Sequence, residues 1–349
     1  MTMIAKPLLR LVFCAAALVA LNLGAQALFE PIDANTEFGR SLSTRIEAID
    51  RDGDVLFIGD SRAHQGLSPR IFEAAVRART GEEVRAVNLA RPGMQTPFFL
   101  YTLQNYVAVA ERKPKVLIMN VSYYLLHGRE WMDRIYFLSF RPTLRQTLDS
   151  VRSGLLNPAE AVMWNIRTRL PLLQMRRPFT HVLMDLWSSP PEEISEALDR
   201  HRRLEASLYE ATTGGYSARG PAHIGPRTKQ VGEIFNPGLA DPLHLGYLRR
   251  LMAFADENDI EVVIFEYPWT EYQRSDHADA TVAHYRRIVE AIAAPFANVH
   301  LVEHPHYWDH THFVDPLHVN DKGAERLSRL AAEWYDKIGT RPAEDAARP

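Results

Sequence analysis

Asp54-Val55-Leu56-Phe57-Ile58 is a short, mostly apolar run that stops at Gly59-Asp60-Ser61 and is followed by a helical pattern opening at Ser68-Pro69. Serine before proline reads as a helix cap and first helical position. Ile71, Phe72, Ala75 and Val76 then share one face, and Gly81 stops the helix. Together these residues spell one βα unit. The same alternation recurs further on, with apolar runs at Val84 to Asn88, Lys115 to Asn120, Ile260 to Phe265 and Val299 to Val302. Between them, Thr96-Pro97 opens a helix, and Leu248, Leu251, Met252 and Ala255 mark another before the Ile260 run. A last helix starts near Asn320 and is expected to bury Leu327, Leu330, Ala331, Trp334 and Ile338. Strands that alternate with helices predict an α/β fold with a mostly parallel five-stranded sheet.

The alternation breaks between about Gly128 and Leu243, a stretch too long for a simple loop in a compact domain, so it is read as a large, mainly helical insertion. Its first half holds Arg129, Arg134, Arg141, Arg145, Arg152, Arg167, Arg169, Arg176 and Arg177, read as solvated helix faces whose stems lie over apolar surface. Gly214-Gly215, Gly220-Pro221 and Gly225-Pro226 make 211–229 an irregular loop.

Composition narrows the function classes. The chain has 349 residues, 46% of them hydrophobic, which suffices for a sizeable core without disulfide staples. Forty Lys and Arg against 43 Asp and Glu give a net charge of −3, so no global field would draw the chain to nucleic acid. Cys14 is the one cysteine, which rules out a disulfide framework and a cysteine-rich metal site. It lies in an N-terminal pattern of Lys6 and Arg10, an apolar run from Leu11 to Leu23, and Ala25-Gln26-Ala27. That pattern is an export signal over 1–29, and continued to Phe29 it is also just long enough for an uncleaved membrane anchor. The remainder, 30–349, is expected to form the α/β domain and its insertion. The location expected is periplasmic, or anchored at the outer face of the inner membrane.

Ser61 ends the first strand and so lies at the carboxyl edge of a parallel sheet, where open α/β sheets build their sites. Taken alone, Gly-Asp-Ser is made of ordinary turn residues. Asp315-Pro316-Leu317-His318, just before the last helix, supplies what a serine needs. Its spacing lets a carboxylate orient an imidazole whose other nitrogen can take the serine proton.

Gly59-Asp60-Ser61 after strand one and Asp315-x-x-His318 before the final helix resemble the first and last blocks of the SGNH/GDSL hydrolase superfamily. The resemblance covers roughly Asp54 to Ile338, the insertion excepted. It implies a flavodoxin-like three-layer α/β/α fold, esterase or acyltransferase chemistry, and a Ser61, His318, Asp315 triad with no cofactor. Asn88-Leu89-Ala90-Arg91-Pro92-Gly93 is similar to the second block, which implies Gly93 as a backbone oxyanion donor beside that of Ser61. The third block departs from the family pattern. In Met119-Asn120-Val121-Ser122-Tyr123-Tyr124 the donor is Asn120, Ser122 or Tyr123, or is missing. Gly-Asp-Ser-Arg, the export segment and the insertion resemble the envelope-associated branch, which includes proteins of alginate and cell-wall O-acetylation. That implies a polysaccharide or small acyl-ester substrate and a membrane-bound acyltransferase as partner.

Two further patterns compete for a role. His304, His306, Asp309, His310 and His312 have partial zinc-site spacing, although the plainer reading is a loop bordering the active site, with no metal. Glu266-Tyr267-Pro268-Trp269 ends at the same carboxyl edge, where its aromatics either face a sugar or close the core. Besides a serine enzyme, the sequence thus allows a catalytically silent polysaccharide-binding scaffold of the same fold and a zinc hydrolase.

Overall fold

The computed structural model describes residues 53–121, 123–126, 143–169 and 240–339. Residues 1–29, read as an export signal, with Cys14, residue Ser122, the 211–229 stretch read as a loop, and Arg129, Arg134, Arg141, Arg176 and Arg177 lie outside the described residues.

The main unit holds five strands: β1 Val55–Ile58, β2 Ala86–Asn88, β3 Val116–Asn120, β4 Glu261–Phe265 and β6 Val299–Leu301. They lie within two residues of the runs read from sequence. All pair in parallel, in the order β2-β1-β3-β4-β6. This is the doubly wound, flavodoxin-like order, and the fold is α/β as expected. Every residue of β1 and β3 is buried, because helices cover both faces of the sheet and leave no polar side to alternate with.

Successive side chains in a strand point to opposite faces, so each strand feeds both layers of the core. Phe57, Ile118, Val263 and Phe265 pack against α1 Ser61–Gly66, α2 Pro69–Thr80 and α8 Asp321–Gly339. Phe72 sets its ring edge-on to Phe57 at 5.2 Å and to Tyr335 at 5.8 Å, tying β1, α2 and α8 together. The other layer holds α3 Thr96–Val109 and α6 Pro242–Asp256, joined by the buried Tyr101 and Tyr247 hydroxyls at 2.8 Å.

Local signals explain these helices. Pro69 occupies the first turn of α2, and Gly81, at φ 75°, ends it by donating its N–H to Arg77 O. Asp241 caps α6 through Leu243 N. α7, Asp276–Ala293, was not named from sequence, since small and polar residues dilute its inward stripe of Ala278, Val282, Tyr285, Val289 and Ile292. In α8, Leu327, Ala331 and Trp334 are buried as expected, while Leu330 and Ile338 are only partly so. β5 Trp269–Thr270 and β7 Tyr307–Trp308 form a separate parallel pair beyond the main sheet, too short to read from periodicity.

A second unit contains residues 143–169 of the insertion, with α4 Leu144–Arg152 and α5 Pro158–Arg169, both helical as expected. Thr143 and Gln146 form a reciprocal capping box at the start of α4. Among the described residues, no helix is long and apolar enough to cross a membrane.

Candidate active site

The sheet order reverses between β1 and β3, since the chain leaves β1 for β2 on one side and returns to β3 on the other. Ser61 follows β1 and Asn120 ends β3, so both stand at this switch point, on the edge where such sheets bind ligands. Ser61 is also the first residue of α1. Asp60 caps that helix from a fully buried position, its Oδ1 accepting from Arg62 N at 2.9 Å and from Asn120 Nδ2 at 3.1 Å. The Ser61 N–H belongs to the first turn, where backbone donors have no intrahelical acceptor.

Gly59 is required by close approach. A Cβ there would stand 1.9 Å from Asn120 Oδ1 and 2.5 Å from Ala63 Cβ. Asn88, wholly buried, donates through Nδ2 to Ala63 O at 3.0 Å and Leu67 O at 2.8 Å, so the second sequence block secures the helix that carries Ser61. Arg91 N donates to Gly59 O at 3.0 Å, which lays the Arg91–Met94 turn beside Gly59-Asp60-Ser61. Gly93 sits in that turn at φ 74°, where a side chain would be strained.

His318 arrives from the opposite end of the chain. Phe313 and Val319 form an antiparallel bridge, Val314 N donates to His318 O at 3.0 Å, and Asn320 Oδ1 accepts from Gly323 N in the first turn of α8. Between α1 and α2, Ser328 Oγ accepts from Ser68 N at 2.9 Å. The result is a contact across 257 residues of sequence: Ser61 Oγ and His318 Nε2 are 2.8 Å apart. The ring's other nitrogen, Nδ1, lies 2.9 Å from both carboxylate oxygens of Asp315. Asp315 Oδ1 also accepts from the backbone of Leu317 at 2.8 Å and His318 at 2.9 Å, which folds the four-residue motif into a turn.

Partial burial raises the Asp315 pKa, but the His318 hydrogen bond and charge, with the two backbone donors, outweigh it and hold the carboxyl below its ordinary range. Asp315 is therefore ionised at neutral pH and fixes the proton of His318 on Nδ1, leaving Nε2 to accept from the Ser61 hydroxyl. The structure thus brings Ser61, His318 and Asp315 together. Asn120 is placed differently: it is fully buried and its amide nitrogen is engaged by Asp60. The alternative Ser122 lies outside the described residues.

No protein-family model matches the chain, and no curated protein matches it. Among solved structures, it is similar to a GDSL-like lipase from Bacteroides thetaiotaomicron VPI-5482 at 12% identity, with a TM-score of 0.34 over 86% of this chain and 98% of that one.

The histidine-rich loop does not gather its imidazoles at one point. His304 turns to Pro305 O and Glu266 O, His312 to Asp309 O, and His306 Nδ1 lies 3.6 Å from Glu266 Oε2. Burial is the first cause lowering the pKa of each of these three rings. Among the described residues, the one trio with ligand atoms within 4.8 Å of each other is Glu271, Asp309 and His310, and His310 already stands 2.7 Å from Glu271 Oε1. Sharing a single imidazole with two carboxylates departs from the three-histidine or two-histidine sets typical of catalytic zinc.

Tyr267 and Trp269 close the core: they are 0% and 1% exposed, so neither ring faces a sugar. Sequence reading did not assign a role to the buried Arg62, whose guanidinium lies over both rings, although its place directly after the candidate nucleophile was a usable signal.

Proposed function

We propose that this chain is an exported serine-dependent esterase or O-acetyltransferase acting on a cell-envelope or extracellular polysaccharide. The observation that carries this reading is the continuous relay from Ser61 Oγ through His318 to Asp315, at 2.8 and 2.9 Å. Both distances are within the reach that general-base catalysis needs.

In the proposed reaction Ser61 Oγ attacks the acyl carbon as His318 Nε2 takes its proton. The oxyanion that forms is received by the backbone N–H groups of Ser61 and Gly93. Collapse expels the alcohol, protonated by His318, and leaves the acyl group on Ser61. Water then attacks, with His318 as base, to release the acid; a sugar hydroxyl in place of water gives transfer. Export, a membrane-bound acyl supplier and contact with the membrane through 1–29 belong to the same proposal, supported by the N-terminal pattern and the resemblance to the envelope-associated branch.

The test combines an acetylated chromogenic ester with oligosaccharide acceptors. Wild type is expected to release the chromophore and Ser61→Ala to release none above background. Acetylated oligosaccharide among the products marks a transferase, and acetate alone an esterase. Turnover by Ser61→Ala at the wild-type rate contradicts the reading, and an inert, well-folded wild type favours the binding scaffold. A reporter fused after Glu30 is expected to be active only outside the cytoplasm.

A further inference from the structure

Ser61 and His318 come from opposite ends of the domain, and a 2.8 Å contact between them tolerates little play. Tyr267, from a third segment just after β4, touches the neighbour of each. Its hydroxyl accepts from Val319 N at 3.1 Å, one residue past His318. The Arg62 guanidinium, one residue past Ser61, lies over its ring at 5.1 Å from the centroid. Trp269 offers a second ring at 5.1 Å and anchors its own indole N–H on Glu266 Oε1.

Substrate recognition does not explain this cluster, because Arg62 is 1% exposed and Tyr267 and Trp269 are equally enclosed. A buried guanidinium is costly unless its charge is met. Here Asp60 Oδ2 meets it 3.4 Å from Nε, and Asp60 is the same carboxylate that caps the nucleophile helix. Gly66, at the far end of that helix, leaves no slack: a Cβ there would come within 3.1 Å of the Tyr267 ring and 3.0 Å of Leu327 on α8.

We infer that Tyr267, acting with Arg62, is a positioning residue that sets the separation of Ser61 and His318. It touches neither substrate nor a reacting atom. Burial pushes its hydroxyl above the ordinary tyrosine range, so it stays protonated and takes no part as a base. This inference rests on Ser61 being the nucleophile.

The experiment follows phosphonylation of Ser61 by a fluorophosphonate across pH, with kcat and KM for a small acetyl ester, in wild type, Ser61→Ala, Tyr267→Phe, Arg62→Lys and Arg62→Met. Circular dichroism gives the folded fraction at the assay temperature. Tyr267→Phe keeps the ring and removes only the acceptor for Val319 N. Per folded molecule it is expected to label about 10- to 100-fold more slowly, with the loss in kcat and KM nearly unchanged. Arg62→Lys is expected to fall as Arg62→Met does, since an ammonium lacks the flat, forked guanidinium that meets Asp60 and both rings. A merely structural role would lower the melting temperature and leave the labelling rate per folded molecule intact. If Tyr267→Phe melts below the assay temperature, Arg62→Lys supplies the same comparison. Wild-type rates in folded Tyr267→Phe or Arg62→Lys overturn the positioning role alone. Absence of labelling in wild type overturns the nucleophile reading and this inference with it.

Discussion

Asp315 accepts from the His318 ring and from two backbone N–H groups at once, so its charge both shapes the turn and orients the imidazole. Asp315→Asn is expected to leave the fold intact while cutting turnover by about 10³–10⁴-fold, since an amide can hold the imidazole in the wrong tautomer. Steady-state kinetics on the folded variant check this. The lowered Asp315 pKa also has a stability consequence. Its contribution is present above the unfolded carboxyl value and is lost as pH falls through the lower, folded one. Asp315→Asn is therefore expected to flatten the acid side of the melting-temperature profile. Gly59→Ala acts by packing instead: its Cβ meets Asn120 Oδ1 at 1.9 Å, and a loss of about 1–3 kcal/mol is expected in denaturant unfolding. Ser61, Asp315 and His318 were legible in sequence because each lies in a short block with its own local chemistry. The Asn120 contact to Asp60 was not, because it joins the ends of two strands whose pairing sequence does not state.

At the scale of elements, the segment leaving β4 holds the site together from behind. Burial, the largest cause, pushes Glu266 up to about 7 against the Trp269 hydrogen bond and the charges of Arg62 and Arg286. An acid whose folded pKa is raised binds its proton more tightly when folded. Stability from this group is thus fully present below its ordinary value of 4.5 and is lost as pH rises through about 7. Glu266→Gln, neutral at every pH, is expected to lose less melting temperature than wild type between about pH 5 and about pH 8. An equal loss would show that Glu266 does not carry the effect. The five strands were readable because each is a buried apolar run bounded by turn residues. β5 and β7 were not, since two residues carry no period, and α7 was obscured by its alanines.

Taken as a whole, the molecule builds its candidate site by bringing two segments far apart in sequence, Ser61 after β1 and His318 before α8, to one place. α8 lies against α1 and α2, and Leu327, fully buried, reaches Gly66 at the end of α1. Leu327→Ala is expected to cost about 2–5 kcal/mol in chemical denaturation and to slow the reaction in the folded fraction, because α8 then sits loosely behind His318. The βα alternation made this closure foreseeable, while the Arg62, Tyr267 and Trp269 cluster emerges only once three distant segments meet. The central claim is that Ser61 carries the acyl group, and the most direct test is mass analysis of protein quenched in acid during turnover of an acetyl ester. The peptide containing Ser61 is expected to gain the mass of one acetyl group, accumulating in wild type and absent in Ser61→Ala. Turnover with no acyl group on that peptide, or with one on another residue, would contradict it.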